Sequence, residues 1–415
     1  MARAARQIPV TDRYPSNLRG PAALSDDRPA GEDIRHLMTP EYPPESGGVS
    51  DYSQQVAEYL AEAGQEIHVW CRPAAGADNV EGCVHVHREL GGLSPGDLRR
   101  VGDQLNRFPA PRRILLQWVP HGFGYRSMNL PFALWLWHRA RNRGDKIEIM
   151  VHEAFLSFEG TWRQHAAALV HRLMTIIMLR VAERVWVSIP KWEQLWRPFA
   201  LGRRIPFQWL PVPSNVPVAR DPEGVAALRY RYAGEDGLLV GHFGTFGKAI
   251  SELLEGIIVR VLDENARAAV MLIGAGAQFR SKLLQKHPRL AGRIHSTGVL
   301  SASELSLHIS ACDVIIQPYP DGASSRRGSL MAGLSHAKAI VTTVGHGTED
   351  LWVESNAVAV ASTGDTDLFA RLVNELCADP EERARLGQAA GSLYRQRFDI
   401  AHTIAKLRAP YGEST

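Results

Sequence analysis

The chain has 415 residues, of which 45% are hydrophobic and 22% charged, the composition of an ordinary globular protein rather than a disordered or fibrous one. This length suits two domains plus a tail. A formal net charge of +3 argues against a dedicated nucleic-acid-binding protein. The charge is uneven, because 18 Lys and Arg stand against 7 Asp and Glu between Arg99 and Arg204. That excess fits an anionic partner or a solvated basic face.

The N-terminus and the cysteines predict a cytoplasmic protein. Residues 1–33 carry five arginines and five acidic residues without an apolar stretch, which predicts a flexible extension rather than a signal peptide. Nowhere does the sequence contain a run of about 18 uncharged apolar residues, the length that spans a membrane. The four cysteines lack metal-ligand spacing, which favours a reducing compartment; they are Cys71, Cys83, Cys312 and Cys377.

Strand-like and helix-like segments alternate through residues 34–217. The predicted strands are Ile34–Met38, Glu66–Cys71, Ile114–Val119, Lys146–His152 and Arg184–Ile189. One helix begins at Gly47 and Gly48, and another spans Thr161–Ala182. The segment Pro206–Pro217 contains four prolines and is predicted to be the linker to a second domain.

Residues 218–398 repeat this alternation. The predicted strands are Leu238–Phe243, Ala268–Ile273, Arg293–Ser296, Asp313–Gln317 and Ala339–Thr343. Ser301 is expected to cap the helix Ala302–Ala311, and residues 399–415 to pack back toward the N-terminal domain. Alternation of this kind predicts two doubly wound α/β domains facing across a cleft, with ligands at the carboxyl ends of the strands.

A glycine-rich turn follows the first strand of the second half, in Gly241-His-Phe-Gly-Thr-Phe-Gly-Lys248. Backbone amides there can approach an anion, and the helix N-terminus adds partial positive charge. The segment is not a P-loop, because His242 stands at the first glycine position and Ala249 follows the lysine. We predict that Gly244, Thr245 and Lys248 bind a phosphate-bearing donor. The alternative is a tight turn with a solvated lysine.

A second candidate site follows the strand Asp313–Gln317. Asp321-Gly322 is a turn dipeptide, and Ser324 and Ser325 offer hydroxyls and amides to a phosphate. Two adjacent arginines at the start of the next helix can clamp phosphate oxygens. The alternative is a capped helix with surface arginines. The predicted donor-binding residues of this segment are Gly322, Ser324, Ser325, Arg326 and Arg327, with Asp321 as a candidate catalytic residue.

Two candidates lie in the first half. Gly47 and Gly48, in Glu41-Tyr-Pro-Pro-Glu-Ser-Gly-Gly-Val-Ser50, stand at a strand-to-helix turn and can bring backbone close to a donor phosphate or an acceptor. His152 ends a strand, where it can act as an acid or base or hydrogen-bond a sugar hydroxyl. A plain turn and a structural histidine are the alternatives.

The order of these motifs resembles that of the retaining glycosyltransferases of family 4. It runs P-E-Y-P-P-x-x-G-G-V-S, H-E at His152, V-P-S-N-V-P at Val212–Pro217, F-G-x-x-x-K, L-I-G-x-G and the block Asp313–Thr343, covering residues 34–407. The resemblance implies the GT-B fold of two Rossmann-like domains, an acceptor-side domain over residues 34–217 and a donor-binding domain over 218–398.

The resemblance also implies an activity. Such an enzyme moves a hexose from a nucleotide-diphosphate donor to a glycan, lipid-linked or small-molecule acceptor with retention. It implies Gly47 and Gly48 near the donor phosphates, His152 near the reacting sugar and Lys248 on the diphosphate. The nucleotide sugar is then a co-substrate, and neither a further cofactor nor a metal is expected.

The sequence departs from the family at three positions. Thr245 stands where the family usually has an arginine, and Ser324 and Ala332 stand where it has two glutamates. Asp321 is a candidate to replace the first glutamate in part, and Arg326 or Arg327 is a candidate to replace the charge of the missing arginine. Glu349 is a further candidate for a hydroxyl contact. The missing glutamates favour the alternative of a degenerate GT-B protein that binds a glycan or partner without turnover, whereas Lys248 and His152 favour activity.

Five tryptophans are interleaved with the basic stretch. They fit either peripheral contact with the inner face of a membrane, where lipid-linked acceptors reside, or core and cleft positions. They are Trp135, Trp137, Trp162, Trp192 and Trp196.

Overall fold

The computed structural model describes residues 34–45, 47–74, 80–81, 84–124 and 128–409. The predicted extension 1–33, together with Ser46, Cys83 and residues from 410 onward, lies outside the described residues. The chain divides into two compact units. The first unit contains described residues up to 215 together with 397–409, and the second unit contains residues 216–396.

The first unit is built on an eight-stranded sheet with the strand order β3-β4-β2-β1-β5-β6-β7-β8. Its pairs are parallel except for β3 against β4. The strands are β1 (Ile34–Met38), β2 (Glu66–Trp70), β3 (Val80–Glu81), β4 (Val84–His87), β5 (Arg113–Trp118), β6 (Lys146–Val151), β7 (Ala182–Val187) and β8 (Phe207–Trp209). The helices that follow are α1 (Gly48–Glu62), α2 (Pro95–Leu105), α3 (Leu130–Asn142), α4 (Trp162–Leu179) and α5 (Pro190–Trp196).

The proline-rich segment corrects one prediction. Pro206–Pro217 is not a linker throughout, because Phe207–Trp209 forms β8, which pairs with β7. The prolines flank this three-residue edge strand rather than interrupt it, and the carbonyl of Pro206 accepts the amide of Val185 at 3.0 Å. An edge position tolerates neighbouring prolines, since one side of the strand needs no ladder partner.

The second unit is an all-parallel six-stranded sheet with the order β11-β10-β9-β12-β13-β14. Its strands are β9 (Leu238–Phe243), β10 (Ala268–Ile273), β11 (Ile294–Ser296), β12 (Val314–Gln317), β13 (Ala339–Val344) and β14 (Ala359–Ser362). The strand order reverses between β9 and β12, so ligands are expected at the carboxyl ends of these two strands. The helices are α6 (Pro222–Ala233), α7 (Lys248–Glu264), α8 (Ala277–Lys286), α9 (Ala302–Ala311), α10 (Gly328–Ser335), α11 (Leu351–Glu354), α12 (Thr366–Ala378) and α13 (Pro380–Arg397).

Two helix starts in the second unit follow the sequence signals. At the start of α9, the Ser301 hydroxyl accepts a hydrogen bond from the Glu304 amide, and the Glu304 carboxylate accepts one from the Ser301 amide at 2.9 Å. Asp365 caps α12 by accepting the amide of Leu368 at 2.9 Å. These bonds satisfy amides that have no partner within the helix.

A last helix, α14 (Ile400–Arg408), belongs to the first unit. Ile400, Ile404 and Leu407 are buried in the same apolar cluster as Val56 and Leu60 of α1. The Arg35 guanidinium on β1 donates to the carbonyl of Leu407 at 2.7 Å. The first sheet is therefore covered on this face by residues from two distant parts of the chain. Within the described residues, no helix is long and apolar enough to cross a membrane.

The two Rossmann-like α/β sheets confirm the predicted fold class. Their central strands are buried, as expected where helices cover both faces of a parallel sheet. Cys312 is a buried core residue, and burial raises its pKa to about 12.

Candidate functional site

The turn after β9 leads directly into α7. Gly244 packs against the start of α10, since a side chain there would bring its Cβ to 3.4 Å from Ser329 Oγ. Thr245 is exposed in this turn. Lys248 is the first residue of α7, and its side chain is 90% exposed, with Nζ 3.9 Å from Glu252. The first-turn amides of α7 have no carbonyl partner within the helix, so this end of the helix favours an anion.

The loop after β12 makes a tight turn at Gly322. This residue has a φ of +91°, and a Cβ on it would come 2.1 Å from Thr348 Oγ1 and 2.4 Å from the amide nitrogen of Gly345. The carbonyl of Asp321 accepts the amide of Gly347 at 2.8 Å. Only glycine fits here, because both the space and the backbone conformation exclude a side chain. The loop is thereby fixed against the segment that follows β13.

The carboxylate of Asp321 binds both arginines of this loop. Arg326 donates to Oδ2 at 2.7 Å, and Arg327 donates to Oδ1. Burial alone would raise the pKa of Asp321, but the guanidinium groups of Arg327 and Arg326 outweigh it and hold the pKa below its usual value. Arg327 also lies over the ring of Tyr319 at 4.7 Å. One carboxylate against two guanidinium groups leaves the cluster with a net positive charge.

Glu349 and Ser325 form a second polar contact beneath the loop. The carboxylate of Glu349 accepts the amide and the hydroxyl of Ser325, and Trp352 donates its indole N–H to the same carboxylate at 2.7 Å. Ser324 is buried, and its hydroxyl has no hydrogen-bond partner among the described residues. Ala332, the position of the second family glutamate, is fully buried on α10. Glu349 thus holds the backbone of the loop in place, while Ser324 and Ala332 are packed in the interior.

An open pocket of about 420 Å³ lies between these segments at the carboxyl ends of β9 and β12. It brings together three of the predicted residues, Lys248, Asp321 and Arg327, with the first turn of α7. His346 also lines it and was not predicted, although the Gly-His-Gly sequence after β13 is a loop signal of the same kind. The full lining is Gly247, Lys248, Ala249, Ile250, Pro320, Asp321, Arg327 and His346.

In the first unit, the chain's own carboxylate occupies the start of α1. Glu41 accepts hydrogen bonds from the backbone amides of Val49 and Ser50. A Cβ on Gly47 would lie 2.8 Å from the Glu41 carboxylate oxygens, whereas a Cβ on Gly48 would meet nothing within 4 Å. Burial raises the pKa of Glu41 despite the two amides. Gly47 thus admits a carboxylate close to the backbone, in the place where the sequence predicts a donor phosphate or an acceptor.

His152 follows β6 and is buried. Its Nε2 donates to Gln117 Oε1 at 2.7 Å, and its ring meets the edge of Tyr52 at 4.9 Å between centroids. Burial lowers its pKa to about 3, so the ring is neutral near pH 7. With Nε2 protonated, Nδ1 is the acceptor, which suits a hydrogen bond from a hydroxyl.

A row of histidines crosses the first sheet and was not predicted. His36 on β1, His68 on β2 and His85 on β4 are paired in register, and His87 lies 2.9 Å from His68 between ring nitrogens. Burial lowers the pKa of His36 to about 3 and that of His87 to about 4. Among the described residues, no group of three or more His, Cys, Asp or Glu could hold a metal ion.

Comparisons with known proteins agree with this description. Residues 235–379, within the second unit, match the family described as Glycosyl transferases group 1. No curated protein sequence matches the chain.

Several solved structures share the fold. Sucrose-phosphate synthase from Thermosynechococcus elongatus has a TM-score of 0.71 at 15% identity, over 90% of this chain and 97% of that one. Anabaena HepE in complex with UDP has a TM-score of 0.65 at 16% identity, over 90% and 98%. WaaG, a glycosyltransferase involved in lipopolysaccharide biosynthesis, has a TM-score of 0.64 at 14% identity, over 90% and 98%. The family match lies within the second unit, and the whole chain shares the two-unit α/β fold, GT-B, with these solved structures.

Proposed function

We propose that the protein transfers a sugar from a nucleotide-diphosphate donor to an acceptor. The observation that carries this proposal is the open pocket at the strand-order reversal of the second sheet, where Lys248, Arg327 and the first turn of α7 converge. Each of these groups favours an anion. A diphosphate matches both the charge and the position, since doubly wound sheets bind nucleotides at this point.

The same groups explain how transfer would be accelerated. Negative charge develops on the leaving diphosphate as the sugar departs, and cations already in place lower the barrier. Lys248 is exposed and can follow the phosphates, whereas Arg327 is fixed by Asp321 and Tyr319. Arg326 and Arg327 then supply the charge that the family takes from an arginine at the position of Thr245.

Retention is the finer part of the proposal. The acceptor hydroxyl would attack the sugar from the face that the diphosphate leaves, and the leaving phosphate would take the proton of that hydroxyl. No protein nucleophile is then needed. His152 would accept a hydrogen bond from a sugar hydroxyl through Nδ1. HepE has been solved with UDP-glucose, which supports a hexose donor for this chain as well. The acceptor would be a glycan, a lipid-linked sugar or a small molecule.

The two missing glutamates favour a second candidate, a protein that binds a sugar nucleotide or glycan without turnover. Ser324 and Ala332 are buried at those positions, and Asp321 is engaged with both arginines. In that case the pocket would bind a nucleotide but release no sugar.

A two-stage experiment distinguishes these candidates. Thermal-shift measurements with UDP, GDP, ADP and their glucose derivatives identify the nucleotide, and Lys248→Ala is expected to weaken binding about tenfold, while the exposed Lys282→Ala on α8 leaves it unchanged. NMR of the bound sugar nucleotide with candidate acceptors then reports transfer and anomeric configuration. Stabilisation by no nucleotide contradicts sugar transfer, and nucleotide binding without sugar release selects the second candidate. We expect transfer to persist in EDTA, because the protein's own cations face the diphosphate.

A further inference from the structure

Two neighbouring helices of the first unit expose large apolar side chains. Trp162 is 75% exposed, Leu169 63% and Leu173 44%, all on α4, and Leu134 and Trp137 on α3 are 52% and 41% exposed. We call these five residues the α3–α4 surface. The spacing of seven and four residues puts the α4 members on one helix face. Their opposite faces are buried, with Phe132 and Leu136 of α3 and Met174 and Met178 of α4 in one core cluster.

Other exposed apolar residues do not form such a group. Phe158, which precedes α4, has the Arg172 guanidinium over its ring at 3.8 Å. The remaining ones each belong to a different segment of the chain: Leu201, Val218, Tyr230, Val299 and Val353. Isolated exposed residues are normal, whereas neighbouring ones on adjacent helices mark a surface that meets an apolar partner. The α3–α4 surface therefore calls for a partner that the other positions do not.

The two helices that form the α3–α4 surface carry basic but no acidic side chains. Arg163 lies over the ring of Trp162 at 5.6 Å, at the start of α4. At the other end of the two helices, burial lowers the pKa of Arg203, and repulsion from Arg141 and Arg180 lowers it further, while Glu183 opposes the shift. Basic groups thus flank the apolar stripe at both ends.

We propose that the α3–α4 surface docks on a membrane that contains anionic phospholipids. Apolar side chains, exposed tryptophans and arginines without acidic neighbours on the same helices are the features of helices that lie at a lipid interface. The tryptophans have an apolar ring and a polar N–H, which suits the boundary between headgroups and acyl chains.

This proposal sharpens the expectation of membrane contact that the five tryptophans raise. Trp196 is fully buried, Trp135 packs against Phe132, and Trp192 donates to the carbonyl of His152 at 2.9 Å. Only Trp137 and Trp162 of the five are largely exposed. The inference does not rest on sugar transfer, and its test needs no donor or acceptor.

Co-sedimentation with phosphatidylcholine vesicles, with and without phosphatidylglycerol, tests the proposal. The full chain is expected to bind vesicles that contain phosphatidylglycerol and to dissociate as salt rises. The double variant Trp162→Ser with Leu169→Ser is expected to bind at least about tenfold more weakly, because two large apolar side chains no longer enter the interface. The matched control Tyr230→Ser with Val299→Ser, on the second unit, should bind as the unchanged protein does.

A charge-reversal pair, Arg141→Glu with Arg180→Glu, keeps the proposal testable if the serine variant fails to fold. It should also lose binding to phosphatidylglycerol vesicles. Equal binding of the folded variants and the unchanged protein overturns the proposal. So does a dimer, measured by light scattering, that the serine variant dissociates while no vesicle binds, because the surface would then join two copies of the chain.

Discussion

The Asp321 carboxylate is paired with the Arg327 guanidinium at the edge of the pocket in the second unit. Because a diphosphate and a carboxylate compete for the same guanidinium group, Asp321 both orders the arginine and weakens its attraction for a ligand. The variant Asp321→Asn separates the two effects. We expect inorganic pyrophosphate to bind roughly tenfold more tightly and the free energy of unfolding to fall by about 1–3 kcal/mol.

Calorimetry with pyrophosphate and urea unfolding measure these two changes. In the same assay Arg327→Ala should weaken pyrophosphate binding by about tenfold or more, while Arg371→Ala, an exposed arginine on α12, serves as the control. Weaker pyrophosphate binding by a stably folded Asp321→Asn protein would show that the carboxylate only orders the arginines.

Gly322 is the second place where a single change should be decisive. Gly322→Ala puts a Cβ 2.1 Å from Thr348 Oγ1 and forces an unfavourable backbone conformation at a φ of +91°. We expect a loss of at least about 2 kcal/mol in the free energy of unfolding, or loss of nucleotide binding if the loop shifts instead. Gly292→Ala is the control, since a Cβ there meets nothing within 4 Å. Equal effects of the two variants in urea unfolding and nucleotide titration would refute the argument.

Glu41 at the start of α1 gives a prediction with a less obvious sign. Because the pKa of Glu41 is raised, ionisation of this carboxyl group is less favourable in the folded protein than in the unfolded chain. Its negative charge therefore lowers the free energy of unfolding at pH 7. Glu41→Gln keeps an acceptor for the Val49 and Ser50 amides and removes the charge. We expect its free energy of unfolding at pH 7 to be unchanged or up to about 1 kcal/mol higher, whereas Glu41→Ala should lose about 1–2 kcal/mol. A glutamine variant as unstable as the alanine variant would contradict this account.

The buried histidines predict sensitivity to acid. His36 and His152 have a pKa near 3 in the folded protein against 6.5 in the unfolded chain. Below pH 6.5 the unfolded chain therefore binds protons that the folded protein does not, and stability falls by about 1.4 kcal/mol per pH unit for each such group. His36→Gln should make the fall between pH 6.5 and 5 shallower in urea unfolding, and replacement of the exposed His402 by Gln should not. An unchanged slope for His36→Gln would count against burial as the cause.

Much of the fold follows from patterns that were visible in the sequence. In the second sheet, the predicted strand Ala268–Ile273 is a continuous apolar run that ends at Gly274, and Leu238–Phe243 lies between Gly237 and Gly244. The strands that the sequence did not predict lie toward the edges of the first sheet or alternate polar and apolar residues. The strand β4 has the sequence Val-His-Val-His, in which buried valines alternate with histidines, and β8 lies among prolines. Such segments become strands only because a neighbouring strand offers a ladder, which is a tertiary effect.

The site was predictable in its position and less so in its contacts. Glycine and lysine after β9, and Asp-Gly with two arginines after β12, identified two of the segments that line the pocket, while His346 after β13 was not predicted. The engagement of Glu349 with Ser325, and of Glu41 with the start of α1, depends on distances between segments that no local pattern encodes. The sequence predicts Glu349 as a hydroxyl contact and gives Glu41 no role of its own, whereas in the structure both carboxylates accept hydrogen bonds from backbone amides.

The contact between Arg35 and the carbonyl of Leu407 has a consequence for biosynthesis. The first unit lacks its closing helix until the ribosome has also made the whole of residues 216–396. The apolar face of α1 around Val56 and Leu60 therefore remains uncovered by α14 while the second unit is synthesised and folds. That interval exposes nascent chains to aggregation, and chaperones that bind exposed apolar surface would act on this protein during it.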